Sequence, residues 1–388
     1  MERDQAIKFM LDLLKLMIQK SGSDLFITVG FPPAIKIHGK VTPVSKKPLT
    51  AENTRAMAHA IMNDKQLKEY EASKECNFAI APPGIGRFRV NAMVQMGYSA
   101  LVLRTIETEP PTFEKFGLPE VLREISLTKR GLVIMVGGTG SGKSTSLAAM
   151  IDFRNQNSYG HIITIEDPVE FVHPHKNCIV TQREVGVDTE DWGIALKNTL
   201  RQAPDVILLG EIRDRETMEY GIQFAETGHL AMATLHANSS NQALDRIINF
   251  FSEERRAQLL MDLSLNLKAV ISQRLLRTVD GKGRVAAFEI MINSPLISDL
   301  ILKGEVNEIK GIMQRSKELG MQTFDMALFD LYEEGKVSLE DALRNADSMN
   351  ELRLRIKLEG KEAKAGDKLG GLDHLSLEEE PEESGLLR

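Results

Sequence analysis

The chain has little of what stabilises or anchors a protein by special means. Of its 388 residues only two are cysteine, Cys76 and Cys178, and they lie far apart. That excludes a disulfide framework and a CxxC metal pair, and it fits a reducing compartment. No apolar run approaches the ~18–20 residues needed to cross a bilayer, so no transmembrane segment is expected. The opening stretch MERDQAIKFMLDLLKLMIQK does not read as a secretory signal, because Asp4 and Asp12 interrupt it and no small-residue cleavage site follows. Excess positive charge is missing as well: 48 Lys and Arg against 55 Asp and Glu leave a net charge of −7. Aromatic residues make up only 5%. Both features disfavour a nucleic-acid binder, so no nucleic-acid partner is expected. No internal repeat is visible.

What is present is the composition of an ordinary globular protein, 42% hydrophobic and 27% charged, long enough for two or three domains. Ala6, Ile7, Met10, Leu11, Leu14, Met17 and Ile18 recur at helical spacing, one apolar stripe that suits a core or a membrane surface. Residues 1–107 read as an α+β domain. Strand-like runs at 25–29, 34–37, 78–81, 87–94 and 99–105 surround a helical stretch at 51–71, with Thr50 and Asn53 as start signals. A proline-rich linker is expected over 108–117, where Pro110 and Pro111 exclude a helix. Residues 118–360 change texture. Continuous apolar runs at 131–136, 161–165, 206–209, 230–235 and 285–292 alternate with helical segments at 244–250, 253–273 and 321–334. Such runs suit strands buried on both faces of a parallel sheet, hence an α/β domain. Ser338 and Asp341 have capping-box spacing for one more helix. Residues 361–388 carry four basic and eight acidic side chains with many glycines, a composition expected to stay disordered.

One motif dominates the chemistry: Gly137-Gly138-Thr139-Gly140-Ser141-Gly142-Lys143-Ser144-Thr145, a full match to G-x4-G-K-[ST]. It follows an apolar strand and precedes a helix-compatible stretch, the setting a phosphate-binding loop requires. Glycines let backbone N–H groups turn toward phosphate oxygens, and the helix N-terminus adds its dipole. Lys143 then reaches the β- and γ-phosphates of ATP, and the Ser144 hydroxyl ligates Mg2+.

Phosphoryl transfer also needs a carboxylate. Val206-Ile-Leu-Leu-Gly-Glu211 is a buried strand ending in one, placed to orient water and support the Mg2+ shell. Thr164-Ile-Glu166-Asp167-Pro168-Val-Glu170 sets three acids just past a strand, where they form either a solvated turn or a water-mediated Mg2+ site. His229 and His236 bracket another apolar strand, each either structural or poised toward a γ-phosphate. His173-Pro-His175-Lys-Asn-Cys178 contains metal-capable side chains but no second ligand pair, and reads as a polar loop rather than a zinc site.

In order, GGTGSGKST, TIEDPVE, LLGEIRD and TGHLAMATLHAN resemble the Walker A, Asp box, Walker B and His box of the secretion ATPase superfamily. The flanks SDLFITVGFPPAIKIHGK, GRFRVNAM and GMQTFDMALFDLYEEGKV are similar to the PilT/PilU family of type IV pilus retraction ATPases. The resemblance implies a RecA-like P-loop motor domain behind a PAS-like N-terminal domain, in a ring-shaped homohexamer with ATP and Mg2+ between domains. It makes Lys143, Glu211 and His229 catalytic, with Glu166, Asp167 and His236 at the nucleotide and Ser144, Glu166 and Glu211 at the metal. It also brings arginines from the N-terminal domain to the phosphates, for which Arg89, Arg104 and Arg87 are the matching positions. PilT proteins carry an AIRNLIRE-like stretch; here residues 296–305 read LISDLILKGE, without the arginines, and the acidic extension is PilU-like. The implied role is an accessory retraction motor in the cytoplasm, at the inner membrane beneath the pilus. Its implied partners are a PilT-type motor and a pilus platform protein. A conjugation or type IV secretion ATPase, a DNA translocase, and a ring partner that mainly docks are the competing readings.

Overall fold

The computed structural model describes residues 2–106 and 109–361. Helix α1 (Arg3–Gln19) buries Ala6, Met10, Leu13, Leu14 and Met17, the stripe read from the sequence, against a core with Leu25, Phe88 and Val90. Strands β1 (Asp24–Ile27), β2 (Ala34–Ile37) and β3 (Lys40–Pro43) follow, then helices α2 (Ala51–Ala60) and α3 (Asp64–Ser73). The stretch expected as one helix over 51–71 is therefore two. Each has its own capping box, Thr50 with Asn53 and Asn63 with Gln66, and the second start ends the first helix. Strands β4 (Glu75–Ile80), β5 (Arg87–Gln95) and β6 (Tyr98–Ile106) complete an antiparallel six-stranded sheet in the order β3-β2-β1-β6-β5-β4. Along β5, Phe88, Val90 and Ala92 are buried, while Arg87, Arg89 and Asn91 take the other face. Strand β3, exposed throughout, has no apolar alternation by which the sequence could announce it.

The expected linker is only partly extended. Thr112 caps α4 (Phe113–Phe116), and α5 (Val121–Ser126) follows at once. Arg123 stacks on Phe113 at 4.5 Å and on Phe153 at 5.0 Å, and pairs with Glu114 at 2.6 Å. This stacking fixes the segment to the helix that leaves the phosphate loop.

The second sheet takes shape from β7 (Gly131–Val136), α6 (Lys143–Asn157), β8 (Gly160–Glu166), β9 (Cys178–Glu184), α7 (Trp192–Thr199), β10 (Val206–Leu209), α8 (Arg215–Glu226), β11 (Leu230–Leu235), α9 (Ser240–Asn249), α10 (Glu253–Asn266), β12 (Leu267–Arg277), β13 (Arg284–Ile292), α11 (Pro295–Lys303) and α12 (Ile309–Arg315). Its order is β13-β12-β7-β11-β10-β8-β9, and β12 through β9 run parallel. Every residue of β7, β10 and β11 is buried, as continuous apolar runs require when helices cover both faces. The helix expected over 253–273 stops at Asn266. Leu267 turns to extended geometry with no glycine or proline to mark the switch, so the apolar pattern passes unbroken from helix into strand.

Leu276–Ala287 and the described residues from Phe324 onward make a second compact unit. It contains α13 (Phe324–Glu333), α14 (Leu339–Asn345) and α15 (Met349–Glu359), packed around Leu276, Phe324, Leu328, Ala342 and Leu352. Ser338 caps α14, accepting the Asp341 N–H at 3.1 Å. The expected acidic tail falls, from residue 362, outside the described residues. Among the described residues no helix is long and apolar enough to cross a membrane.

Candidate active site

Parallel pairing sets the site. Leu235 is level with Val136, while Leu209 is level with Ala233 and Ile165. The carboxyl ends of β7, β8, β10 and β11 therefore open on one edge, where α/β sheets hold ligands. That edge carries the phosphate loop, Glu166 with Asp167, Glu211 and His236.

In the loop, Gly137, Gly140 and Gly142 have φ of 155°, 74° and 91°. Such backbone favours glycine and turns N–H groups inward. Lys143 donates from Nζ to the carbonyls of Gly137 at 2.8 Å and Gly138 at 2.9 Å. Burial pushes the Lys143 amine below its usual pKa, against the pull of Glu211 and Glu170. Ser141 Oγ is buried without a hydrogen-bond partner. A loop with open space at Gly138 and Gly140 and a spare buried donor fits a phosphate chain. Ser144 faces the cleft, and Thr145 sits half-buried in the first turn of α6.

The acids stand opposite. Burial pushes the Glu166 carboxyl up to about 7, although it accepts hydrogen bonds from Thr164 at 2.6 Å and Gln182 at 3.3 Å. Glu211 accepts from Arg213 Nε at 2.9 Å, and its other oxygen lies 3.3 Å from His236 Nε2. Arg213 also approaches Asp167 at 3.4 Å. A cleft of about 240 Å³ is lined by Lys143, Ser144, Glu166, Asp167, Glu211 and His236, together with Thr139 and Gly140 of the loop. Ser144, Glu166 and Glu211 offer only hard oxygen donors, the set Mg2+ prefers. Among the described residues no three His, Cys, Asp or Glu gather closely enough to hold an ion alone. Phosphate oxygens would supply the rest of a Mg2+ shell, as is usual at such loops.

His229 is not brought here. It precedes β11 at the opposite end, about 20 Å from the loop at ~3.3 Å per strand residue. Its Nδ1 lies 3.0 Å from Thr227 Oγ1 and 3.2 Å from the Phe224 carbonyl, so its contacts tie α8 to the start of β11. The expectation that both box histidines line one site is corrected by the length of the strand between them. The arginines are outside the cleft as well. Arg89 and Arg104 face each other across β5 and β6. Arg89 pairs with Glu184 at 3.4 Å and Arg104 with Asp24 at 2.8 Å. Arg87 Nε is buried with no hydrogen-bond partner.

Two further residues of the cleft wall, His173 and Trp192, stand out. His173, assigned to a polar loop, is only 7% exposed and lines the cleft, and burial pushes its imidazole down to about 4. Lys176, paired with Asp152 at 2.7 Å, and Asn155, donating to the Pro174 carbonyl at 2.7 Å, clamp its loop onto α6. Trp192 lines the same cleft from α7. Nothing in the local sequence marks either as a site residue.

Residues 2–344 match the family described as Type II/IV secretion system protein. The chain belongs to this family. It is 60% identical over 364 residues to the type IV pilus ATPase PilU of Pseudomonas aeruginosa, covering 94% of this chain and 93% of that one. The same organism's type IV pilus retraction ATPase PilT is 44% identical, over 86% and 97% of the two chains. A crystal structure of the pilus retraction motor PilT with bound ADP superposes with a TM-score of 0.82 at 40% identity, covering 89% of this chain and 98% of that one. Within the family the chain belongs with the PilT and PilU ATPases. Its parallel sheet is their RecA-like motor fold, preceded by the PAS-like α+β sheet, and it hydrolyses ATP.

Proposed function

We infer that this ATPase is a type IV pilus retraction motor of the accessory kind. The observation that carries the reading is the convergence of Lys143 and Glu211 on one cleft at the carboxyl edge of the parallel sheet. Lys143 and the loop amides hold the triphosphate. Glu211, steadied by Arg213 and His236, orients water for in-line attack on the γ-phosphate. Ser144 and the carboxylates would hold Mg2+, which would neutralise charge on the phosphate oxygens. Arg89 and Arg104 exchange their present partners, Glu184 and Asp24, for phosphate oxygens, which makes hydrolysis depend on domain position. The N-terminal domain runs to residue 107, the linker over 108–117 and the motor domain over 118–360. In a homohexamer beside a PilT-type motor, at an inner-membrane platform protein on the cytoplasmic side, loss of phosphate then becomes rotation between neighbouring domains.

Deleting the gene and complementing with wild-type and Lys143→Ala forms tests this reading. Wild type is expected to restore pilus retraction and twitching, and the variant is not. Equal rescue by both would make the chain a docking partner instead.

A further inference from the structure

Three consecutive residues of β12 join the two halves of the site. Ser272 is in register with Val136, so Gln273 stands level with the start of the phosphate loop. The Gln273 side chain accepts the Ser146 hydroxyl of α6 at 2.8 Å. The main-chain carbonyl oxygen of Gln273 lies 2.7 Å from where a Cβ on Gly137 would be, and the side-chain Nε2 lies 2.7 Å from one on Gly142. The absence of side chains at these two glycines thus admits Gln273 at both ends of the loop.

Strand alternation sends Ser272 and Arg274 to the other face. There the Ser272 hydroxyl donates to Glu289 Oε1 at 3.3 Å, and the same oxygen accepts the Ser240 N–H at 2.6 Å. Ser240 opens α9, four residues after His236. Arg274 Nη2 donates at 3.2 Å to the carbonyl of Asn238 in the intervening loop. Ser146, Ser240, Ser272, Gln273 and Glu289 are all buried, and Lys310 Nζ lies 3.9 Å from the second Glu289 oxygen. A buried carboxylate is a costly way to fill a strand whose neighbours are apolar. What it supplies is an acceptor at the helix N-terminus, fixing where the His236 loop ends.

We propose that Gln273 and Glu289 are positioning residues for ATP hydrolysis. Gln273 sets the phosphate loop, Glu289 sets the His236 loop, and β12 keeps the two in register. The inference rests on the proposed roles of the phosphate loop and His236. The test measures phosphate release and fluorescent-ATP binding on the full chain. Glu289→Ala is expected to lower kcat about tenfold while nucleotide Kd moves less than about twofold. Glu289→Gln keeps the acceptor oxygen and recovers most of the rate. Because Glu289 acts through the His236 loop, the double variant with His236→Ala is expected to be no slower than His236→Ala alone. Gln273→Leu is expected to raise nucleotide Kd several-fold, by roughly the loss of one buried hydrogen bond. Losses that multiply in the double variant, a Gln variant as slow as the Ala variant, or an unchanged Kd in Gln273→Leu would each overturn the corresponding role. An inert His236→Ala would instead overturn the reading of His236, and the role of Glu289 with it. Should Glu289→Ala fail to fold, Ser272→Ala takes one donor from the same carboxylate oxygen and leaves the Ser240 N–H on it, so the same loss of kcat at unchanged Kd is expected on a smaller scale.

Discussion

The Glu211 carboxylate accepts a hydrogen bond from Arg213 at 2.9 Å, and the same guanidinium lies 3.4 Å from Asp167. One cation thus holds together the acids from the ends of two strands. Glu211→Gln keeps the side chain's size but removes its charge and its basicity. It is expected to bind ATP normally and to hydrolyse it on the order of a hundredfold more slowly, as read by single-turnover phosphate release. A rate near wild type would remove Glu211 from the chemistry.

Arg89 pairs with Glu184, which is almost fully buried and also accepts the Val169 N–H at 3.1 Å. Because Glu184 keeps that second donor, Arg89→Ala is expected to cost only about 1 kcal/mol in urea unfolding. The loss of kcat is expected to be far larger, on the order of a hundredfold or more, since a guanidinium on the transferring phosphoryl group is worth that much. Equal, small effects on both would leave Arg89 as a structural link alone.

His173 gives the fold an acid-sensitive point. Burial lowers its pKa to about 4 from an unfolded value near 6.5. Between those values the unfolded chain binds a proton that the folded chain does not. Its contribution is therefore fully present above pH 6.5 and is lost as pH falls toward 4, by on the order of 3 kcal/mol in total. His173→Gln is expected to flatten the dependence of urea midpoints on pH across that window. An unchanged slope would contradict it.

Glu166 titrates in the opposite sense. With its carboxyl pushed up to about 7 by burial, it is largely protonated at pH 6 and largely ionised at pH 8. Magnesium binding with nucleotide is expected to tighten as pH rises through 7, because the ion favours the carboxylate. Glu166→Gln is expected to abolish that dependence in Mg2+ titrations of hydrolysis; the same pH profile in the variant would free Glu166 from the metal.

The legible parts of the site were those whose chemistry is written in consecutive residues. Gly137 to Ser144 could be read because a phosphate cradle needs glycines, a lysine and a hydroxyl at fixed offsets. Glu166, Glu211 and His236 could be read because each follows an apolar run, and parallel strands end on one edge. His229 misled for the same reason: its motif is continuous in sequence, but a strand six residues long separates it from the cleft. Gln273 and Glu289 carry no such signal, since each lies buried within a strand and meets partners 127 and 49 positions away. Residues 267–273 of β12, Gln273 included, read as helix from the sequence, since no breaker separates them from α10.

Steady-state phosphate release from ATP and Mg2+, compared between the purified wild-type chain and Lys143→Ala, bears most directly on the whole scheme. Wild type should retain ATP and liberate phosphate, alone or mixed with a PilT-type motor, and Lys143→Ala should do neither. Wild-type protein that neither binds ATP nor releases phosphate under either condition, or a variant that turns over at the wild-type rate, would contradict it.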